Sequence, residues 1–286
     1  MTPEDFRIKL GNGNWEYFDR SGVSLDMIFE AAADWAAAAK GIERPWLCWN
    51  VDPDWNVVQQ RLVRSAGWTP LVGFDPRVGP PPVEDGAVLI DFNARLKLPV
   101  MWMHFPMEFV HLFAPRLAFW HSDLLVRPAK MRSLADRFAA LPDGTTAAVK
   151  PRQGWRGLLH PKRLRYWELI GCTTAGASRD AFAKGAGWWV SFADHPSNSP
   201  EERLRRSSYY WDAGTGIRYW HKHCGGKVDL IPESFVEEGH FTRIGRKDYK
   251  LASPDNHLRD LAKELPLNFE LAECCRKLGL EQFLAR

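Results

Sequence analysis

Residues 46–74, WLCWNVDPDWNVVQQRLVRSAGWTPLVGF, consist of two apolar runs separated by an amphipathic stretch. The runs at 46–51 and 69–74 each have the length and the apolar character of a buried strand. Between them, Asp54 is a suitable N-cap for a helix that continues to residue 66. A strand, a helix and a second strand in this order predict a β-α-β unit with parallel strands.

The alternation of strands and helices continues on both sides of this unit. Apolar runs at 87–92, 116–120 and 145–150 predict three more strands, and Pro128 is expected to begin a helix. Upstream, apolar residues recur at helical spacing over 25–40, which predicts an amphipathic helix. Together these elements favour an α/β fold, with a mostly parallel central sheet and helices on both faces.

The composition is that of a globular protein without a strongly charged surface. The 286-residue chain is 45% hydrophobic and 26% charged, and 38 basic residues against 35 acidic ones give a formal charge of +3. This near balance argues against a nucleic-acid partner, although basic clusters at 162–165, 203–206 and 243–250 can be either solvated faces or phosphate contacts. The 14 tryptophans can serve either the core or the stacking of a ligand.

Two further features predict a cytoplasmic location. The first residues are too polar for a signal peptide, and no apolar run reaches the ~18 residues that a membrane helix needs. The five cysteines include no CxxC pair. This pattern favours reduced thiols over a disulfide framework.

Asp123 is the first candidate for chemistry, because it follows the predicted strand at 116–120. Its carboxylate is therefore expected at the carboxyl edge of the sheet, where open α/β sheets bind their ligands. A carboxylate in that position can hold a divalent cation. The same residue can instead cap a turn or pair with Arg127, and its position alone leaves these interpretations open.

A glycine-rich segment and a second aspartate follow in the less regular half of the chain. Residues 168–189 place glycines among hydroxyl-bearing and charged side chains, but they match neither GxxxxGK[ST] nor GxGxxG. We expect loops that carry site residues there. Asp212 precedes an Ala-Gly-Thr-Gly run, where it can cap a helix or accept a proton from an attacking hydroxyl.

The histidines form no strong metal motif. The run HKHC at 221–224 lacks the CxxC or HxxxH spacing of structural zinc sites, and histidines in a solvated loop are the simpler interpretation. His104, His111 and His121 are spread across an apolar region. We interpret them, from that pattern alone, as packing residues.

Over about residues 45–245, the order of these segments resembles that of the GT-A class of nucleotide-sugar glycosyltransferases. LAFWHSDLLV at 117–126 is similar to the strand that carries the DxD motif of that class, and residues 168–189 are similar to its glycine-rich acceptor loop. YYWDAG at 209–214 is similar to the xED segment, and EGHFT at 238–242 contains the late histidine.

Two positions depart from the family pattern. His121 replaces the first acid of the DxD motif, so Asp123 is its one acidic ligand. Trp211 replaces the acidic residue before Asp212, although the acidic residue that acts in catalysis in the family corresponds to Asp212 itself. The first departure leaves open whether His121 binds the metal ion or the enzyme works without one.

The resemblance implies a Rossmann-like GT-A fold and a glycosyltransferase. This enzyme would move a sugar from a nucleoside-diphosphate sugar to a hydroxyl of a carbohydrate or other acceptor, with Mn²⁺ or Mg²⁺ as cofactor. For Trp188 and Trp189, a place in the core is an equally open role. The implied site residues are Asp212 as catalytic base; Asp75, Asp123, Arg179 and Lys184 for the nucleotide and donor; Trp188, Trp189 and Trp211 for the acceptor; and Asp123, His240 and His121 for the metal.

The expected organisation is a single large domain with an extension at each end. Residues 1–44 are expected to form a hairpin and a helix, and residues 251–286 a helical tail. Between them, a GT-A-like domain at 45–250 would contain a nucleotide-binding half at 45–155 and an acceptor half at 156–250.

Two other functions remain open at this stage. The missing first acid of the DxD motif is also consistent with a related fold that binds a sugar or nucleotide, or acts as a scaffold, without transferring anything. Another phosphate-handling α/β enzyme, such as a nucleotidyltransferase or a hydrolase, is the third interpretation. Its product would be pyrophosphate or monophosphate instead of a nucleoside diphosphate.

Overall fold

The computed structural model describes residues 23, 25–98, 101–152, 159, 164–188, 199–209, 213–241 and 270–284. Within these ranges, seven strands form one sheet. The strands are β1 (Pro45–Asn50), β2 (Thr69–Phe74), β3 (Val88–Leu89), β4 (Arg116–Trp120), β5 (Thr145–Lys150), β6 (Trp167–Thr174) and β7 (Lys227–Pro232).

The sheet has the order β3-β2-β1-β4-β6-β5-β7. All neighbouring strands are parallel except at β6, which pairs antiparallel with β4 and with β5. The order 3-2-1-4 is that of a Rossmann-type half, in which the strand order switches between β1 and β4. The predicted α/β fold with a mostly parallel sheet is therefore confirmed, and a ligand is expected at the carboxyl ends of β1 and β4.

Helices cover both faces of the sheet, as predicted. The described helices are α1 (Leu25–Ala38), α2 (Pro53–Ser65), α3 (His104–Glu108), α4 (Val110–Phe113), α5 (Pro128–Ala139), α6 (Ala175–Ala183), α7 (Pro200–Ser207), α8 (Thr215–His223) and α9 (Leu271–Leu278). One face of the sheet packs against α1, α3, α4, α6 and α8, and the other against α2, α5 and α9.

The tryptophans of the described ranges belong mostly to these two cores. In β1, Trp49 lies in the core of the first face and Trp46 in that of the second, because successive strand residues point to opposite faces. The Trp46 ring lies edge-on to that of Trp68, with 5.4 Å between centroids. The buried tryptophans are Trp35, Trp46, Trp49, Trp55, Trp68, Trp120, Trp188 and Trp220.

The first β-α-β unit is confirmed, with a correction at the start of its helix. The N-cap of α2 is Asp52 and not Asp54, because the Asp52 carboxylate accepts the amides of Asp54 and Trp55, both at 3.2 Å. Pro53 then occupies the first helical position, where its missing N–H costs nothing. Strand β3 is shorter than the predicted run at 87–92.

The prediction of a glycine-rich loop at 168–189 is wrong, because most of this segment is regular. Its first part belongs to β6, whose residues are almost all buried, and its second part is α6. The side chain of Thr174 caps α6 by accepting the Ala177 amide. Gly171 is used here for close packing, since a Cβ atom at this position would overlap the Ala147 carbonyl oxygen and the Phe119 ring.

The start of α8 also differs from the prediction. Its N-cap is Gly214, which has a left-handed φ of 81°, and not Asp212. The histidines of the HKHC run lie on this helix and not in a solvated loop. His221 Nδ1 lies 2.6 Å from the Tyr166 hydroxyl, so this histidine has a tyrosine as its partner.

Other predictions fall partly outside the described residues. The N-terminal hairpin lies outside them, whereas the helix predicted after it is α1. Of the two tail helices, α9 is present and the other would lie outside the described ranges. No helix in the described ranges has the length and apolar character needed to cross a bilayer.

The close packing at Gly171 gives a prediction about stability. In a Gly171→Ala variant, the added methyl group has to displace the Ala147 backbone or the Phe119 ring, and we expect a loss of about 1–3 kcal/mol in the free energy of unfolding. Urea denaturation followed by tryptophan fluorescence measures this loss. An unchanged midpoint would mean that β5 and β6 do not approach each other this closely.

Candidate functional site

The loop after β4 is held by a buried glutamine of α2. The side-chain amide of Gln59 donates to the carbonyl oxygens of His121 (2.8 Å) and Leu124 (3.0 Å). The Leu124 amide donates to the same His121 carbonyl at 3.1 Å, which closes a tight turn. This turn presents the side chains of His121 and Asp123 at the carboxyl edge of the sheet.

His240 reaches the same place from a distant part of the chain. It forms an isolated antiparallel bridge with Leu124, and the Phe241 amide donates to the Asp123 carbonyl at 3.1 Å. Gly239 precedes His240, and a Cβ atom at this position would overlap the Leu125 carbonyl oxygen. The absence of a side chain at 239 thus allows the two segments to pair.

His121, Asp123 and His240 form a group that we call the edge triad. Asp123 Oδ1 lies 3.7 Å from His121 Nδ1 and 3.5 Å from His240 Nε2. The three side chains are 17–20% exposed, so a ligand can reach them from solvent. Arg127, the alternative partner of Asp123, pairs instead with Glu238 at 3.2 Å.

The other ring nitrogen of His121 faces a second carboxylate, that of Glu168 at the start of β6. His121 Nε2 and His104 Nε2 lie 3.4 and 3.5 Å from Glu168 Oε1. We call His104, His121 and Glu168 the inner triad. Glu168 is 7% exposed at its side chain, so this triad lies deeper than the edge triad.

The charges in this cluster stabilise one another. Burial lowers the pKa of His121, but Asp123 and Glu168 on its two sides outweigh that effect and raise the pKa to about 9. Burial raises the pKa of Asp123, yet His121 and His240 bring it far below its ordinary value. The two carboxylates therefore favour the protonated form of the His121 imidazole.

Glu168 is ionised although it is buried. Burial raises its pKa, but Arg165, His104 and His121 together hold that pKa well below the usual value. Arg165 Nη1 lies 3.6 Å from Glu168 Oε2. The cost of burying this carboxylate is thus offset by positive charge on two sides.

Both triads have the donor chemistry of a divalent metal site. Each consists of two imidazole nitrogens and one carboxylate oxygen that lie within 4.8 Å of one another. Two imidazoles and a carboxylate are a common ligand set for transition-metal ions. In addition, His104 Nε2 and His240 Nε2 are buried atoms without a hydrogen-bond partner, so their lone pairs can serve a metal ion.

The structure brings Asp75 to the same edge of the sheet, but not into the triads. Asp75 directly follows β2, and β2 is separated from β4 by β1. Its carboxylate accepts the guanidinium of Arg77 at 2.9 and 2.7 Å and the Arg77 amide at 2.9 Å. Arg77 therefore fixes the orientation of Asp75, and the residue is 2% exposed.

Of the expected donor contacts, Arg179 is on α6 and Lys184 is its C-cap residue. Because β6 is antiparallel to β4, α6 begins at the edge of the sheet opposite to Asp123. Arg179 lies close enough to His111 and Asp143 to interact electrostatically with both. Lys184 donates to Asp180 and to the Cys224 carbonyl, both at 2.9 Å.

Trp188, the first of the expected acceptor contacts, is a core residue at 2% exposure. Its indole N–H donates to the Thr173 hydroxyl at 3.0 Å, and its ring lies edge-on to Phe119. Trp189 and Trp211 lie outside the described residues, as does Asp212.

The chain next to Asp212 is nevertheless connected to the cluster. The carbonyl of Ala213, the residue after Asp212, accepts a hydrogen bond of 2.9 Å from Arg165 Nη1. The same Arg165 nitrogen faces Glu168 of the inner triad. One arginine thus joins the segment after Asp212 to the metal-ligand cluster.

Sequence analysis missed Glu168, Arg165, His104 and Gln59. Glu168 had a local signal, because it is the one charged residue of the WELIGCTT strand, and a charge in a buried strand requires partners. His104 was interpreted as a packing residue, but its Nε2 faces the Glu168 carboxylate. Nothing in the local sequence distinguishes Gln59 from its neighbour Gln60.

These two glutamines provide a test of the role of Gln59. Gln60 also donates two buried hydrogen bonds from α2, to Asn56 Oδ1 (2.8 Å) and to the Pro82 carbonyl (2.9 Å), but none to the site. We expect Gln59→Met and Gln60→Met each to lose about 1–3 kcal/mol of unfolding free energy. Only Gln59→Met should shift the imidazole NMR signals of His121 and His240. Equal shifts in both variants would contradict a positioning role for Gln59.

His111 gives a prediction about pH and stability. Burial and, secondarily, Arg179 lower the pKa of His111 to about 4, below the ordinary value of 6.5. A depressed pKa means that the unfolded chain binds the proton more readily, so this residue's contribution to stability is complete above pH 6.5 and is lost as the pH falls through 4. Between these values, the free energy of unfolding should decrease less steeply in His111→Gln than in the unmodified protein. The free energies come from urea titrations at several pH values. If they decreased equally steeply with falling pH in both proteins, the prediction would be contradicted.

Comparison of the chain with family models, with curated proteins and with solved structures found no match in any of the three. Function is therefore inferred from the geometry of the site and from the order of the motifs.

Proposed function

We propose that this protein is a glycosyltransferase that moves a sugar from a nucleoside-diphosphate sugar to an acceptor hydroxyl. The observation that carries the proposal is the convergence of the edge triad. Asp123 and His121 come from the DxD-like segment and His240 from the EGHFT segment, and their ligand atoms lie within 4.8 Å of one another. The resemblance to the GT-A class requires these two segments to lie close together. The local sequence around either segment does not by itself predict that they do.

The position of the triad in the fold also supports a nucleotide ligand. The edge triad follows β4, at the point where the strand order switches between β4 and β1. Sheets of this kind bind nucleotides across the crevice at such a switch point. Asp75, at the end of β2, is the proposed nucleoside contact, but it is 2% exposed and paired with Arg77, so that contact requires the Arg77 side chain to move.

The edge triad would hold the divalent ion beside the donor diphosphate. Two imidazoles and one carboxylate favour Mn²⁺ over Mg²⁺, which prefers oxygen ligands. A bound ion of this kind neutralises charge that develops on a departing phosphate. Asp123 and His240 supply the ligand atoms on the protein side, and Gln59 fixes the turn that carries Asp123.

On the acceptor side, we propose Asp212 as the base that removes the proton from the attacking hydroxyl. The support is the anchoring of the following residue: Arg165 holds the Ala213 carbonyl and faces Glu168 of the inner triad. Arg165 thereby acts as a positioning residue for the segment that contains the proposed base.

The five cysteines are all free thiols, which agrees with action in a reducing compartment such as the cytoplasm.

One observation favours a second function, that of a nucleotide- or sugar-binding protein without transfer activity. His121 stands where the family has an acid, and it is already paired with two carboxylates in the absence of a ligand. Such a protein would bind the donor and leave it intact. Binding and turnover therefore have to be measured separately.

The first test is a thermal-shift assay with UDP, GDP, CDP, dTDP and their sugars, each with and without Mn²⁺. A ligand at 100 times its Kd stabilises a protein by about 2.7 kcal/mol, which is readily detected. We expect one nucleotide to raise the melting temperature in the presence of Mn²⁺. Asp123→Asn should abolish the metal-dependent part, and Asp136→Asn, a change of an exposed carboxylate on α5, should not.

The second test distinguishes transfer from binding. With the nucleotide sugar identified, release of nucleoside diphosphate should occur in the unmodified protein and be lost in Asp212→Asn, which should still bind the donor. Release of pyrophosphate would favour a nucleotidyltransferase. Binding without release of any product would favour the non-transferring protein, and no shift with any nucleotide would refute both.

A further inference from the structure

The inner triad offers a metal site that shares His121 with the edge triad but uses the other nitrogen of its ring. His104 Nε2 and His121 Nε2 lie 3.5 and 3.4 Å from the same Glu168 oxygen. In a tetrahedral site with bonds of about 2.0–2.1 Å, neighbouring ligand atoms are about 3.3–3.4 Å apart. The two distances to Glu168 Oε1 agree with that spacing, and all three ligand atoms lie within 4.8 Å of one another.

One atom of this triad lacks the hydrogen bond that buried polar atoms usually have. His104 Nε2 is buried without a hydrogen-bond partner, and it faces a Glu168 side chain that is more than nine-tenths buried. Leaving such an atom unpaired is costly, and most proteins avoid it. A metal ion that accepts a lone pair from His104 Nε2 would remove that cost.

The residues around the triad are arranged as the outer shell of a metal site. Histidines that bind metals usually direct the other ring N–H to a carboxylate or a carbonyl. His121 has Asp123 in that position, with Oδ1 at 3.7 Å from Nδ1. Arg165 faces the second oxygen of Glu168, which favours coordination through Oε1.

We propose that His104, His121 and Glu168 bind a transition-metal ion that prefers imidazole nitrogen, with Zn²⁺ as the best-fitting ion. Two imidazoles and a carboxylate select Zn²⁺, Co²⁺ or Fe²⁺ over Mg²⁺. Three protein ligands leave a fourth position open for water or substrate. The site uses Nε2 of His121, so that Asp123 and His240 remain available at the edge triad. It does not depend on the glycosyltransferase proposal.

The test is a metal titration of the full chain without any nucleotide. Protein stripped with a chelator is titrated with Co²⁺, whose visible absorption reports nitrogen coordination, and Zn²⁺ is then measured by displacement of Co²⁺. We expect a Co²⁺ site at the inner triad that Zn²⁺ competes for and Mg²⁺ does not, and that is distinguished from any Co²⁺ bound at the edge triad by the variants. Loss of a direct ligand in His104→Gln or Glu168→Gln should weaken Co²⁺ binding by more than the roughly 100-fold that outer-shell changes cost.

His240→Gln is the matched control, because it removes a histidine of the edge triad and leaves the inner triad intact. It should retain the Co²⁺ spectrum and an affinity close to that of the unmodified protein. Circular dichroism of each metal-free variant shows whether it folds. If Glu168→Gln does not fold, the test rests on His104→Gln, because His104 is the less buried of the two residues. No Co²⁺ binding in the unmodified protein, or binding that is lost in His240→Gln and retained in His104→Gln, would overturn the proposal.

Discussion

Strand β6 runs antiparallel between β4 and β5, and the register of that pairing decides which side chains meet at the carboxyl edge of the sheet. Trp120, at the end of β4, lies opposite Ile170, so the first residues of β6 lie beside the loop that follows β4. The pairing continues beyond the strand, since the His121 amide donates to the Leu169 carbonyl at 2.9 Å. Glu168 is therefore placed against His121 by backbone hydrogen bonds, before any side-chain attraction is considered.

That placement accounts for the type of residue at position 121. An aspartate there would add a third negative charge to Asp123 and the buried Glu168, and like charges at this distance repel strongly in a partly desolvated site. A histidine attracts both carboxylates and lies between them at 3.7 and 3.4 Å. Compared with the DxD pattern, the second acid of the cluster is supplied by strand β6 and not by the loop after β4.

The sequence predicts the elements of the first half well, because their signals are local. The bounds of β2, β4 and β5 agree with apolar runs whose lengths suit buried strands. The glycine-rich segment was predicted wrongly, because a glycine that allows close approach of strands, such as Gly171, has the same local appearance as one in a loop. This ambiguity is resolved only when the neighbouring strand is known.

In the site too, some residues could be predicted from the order of the sequence motifs, and others depend on contacts between distant segments. The order of motifs predicted that Asp123, His121 and His240 belong together, and their ligand atoms do lie in one group. Glu168 and His104 could not be added to that group, because their contacts depend on the antiparallel register of β6 and on the position of α3. No sequence spacing encodes either of these.

Strand β6 also determines where positive charge lies. Because it ends at the opposite edge of the sheet, Arg179 on α6 lies near His111 and Asp143, and not beside Asp123. In the cluster itself, the positive charges of His121 and Arg165 each face a carboxylate.

The diphosphate of the proposed donor would meet a cluster in which Asp123 and Glu168 already face histidine and arginine side chains. A metal ion bound by neutral imidazoles would supply the positive charge that binding of this diphosphate requires. The carboxylates and histidines that face one another in the cluster are thus the groups that can hold such an ion.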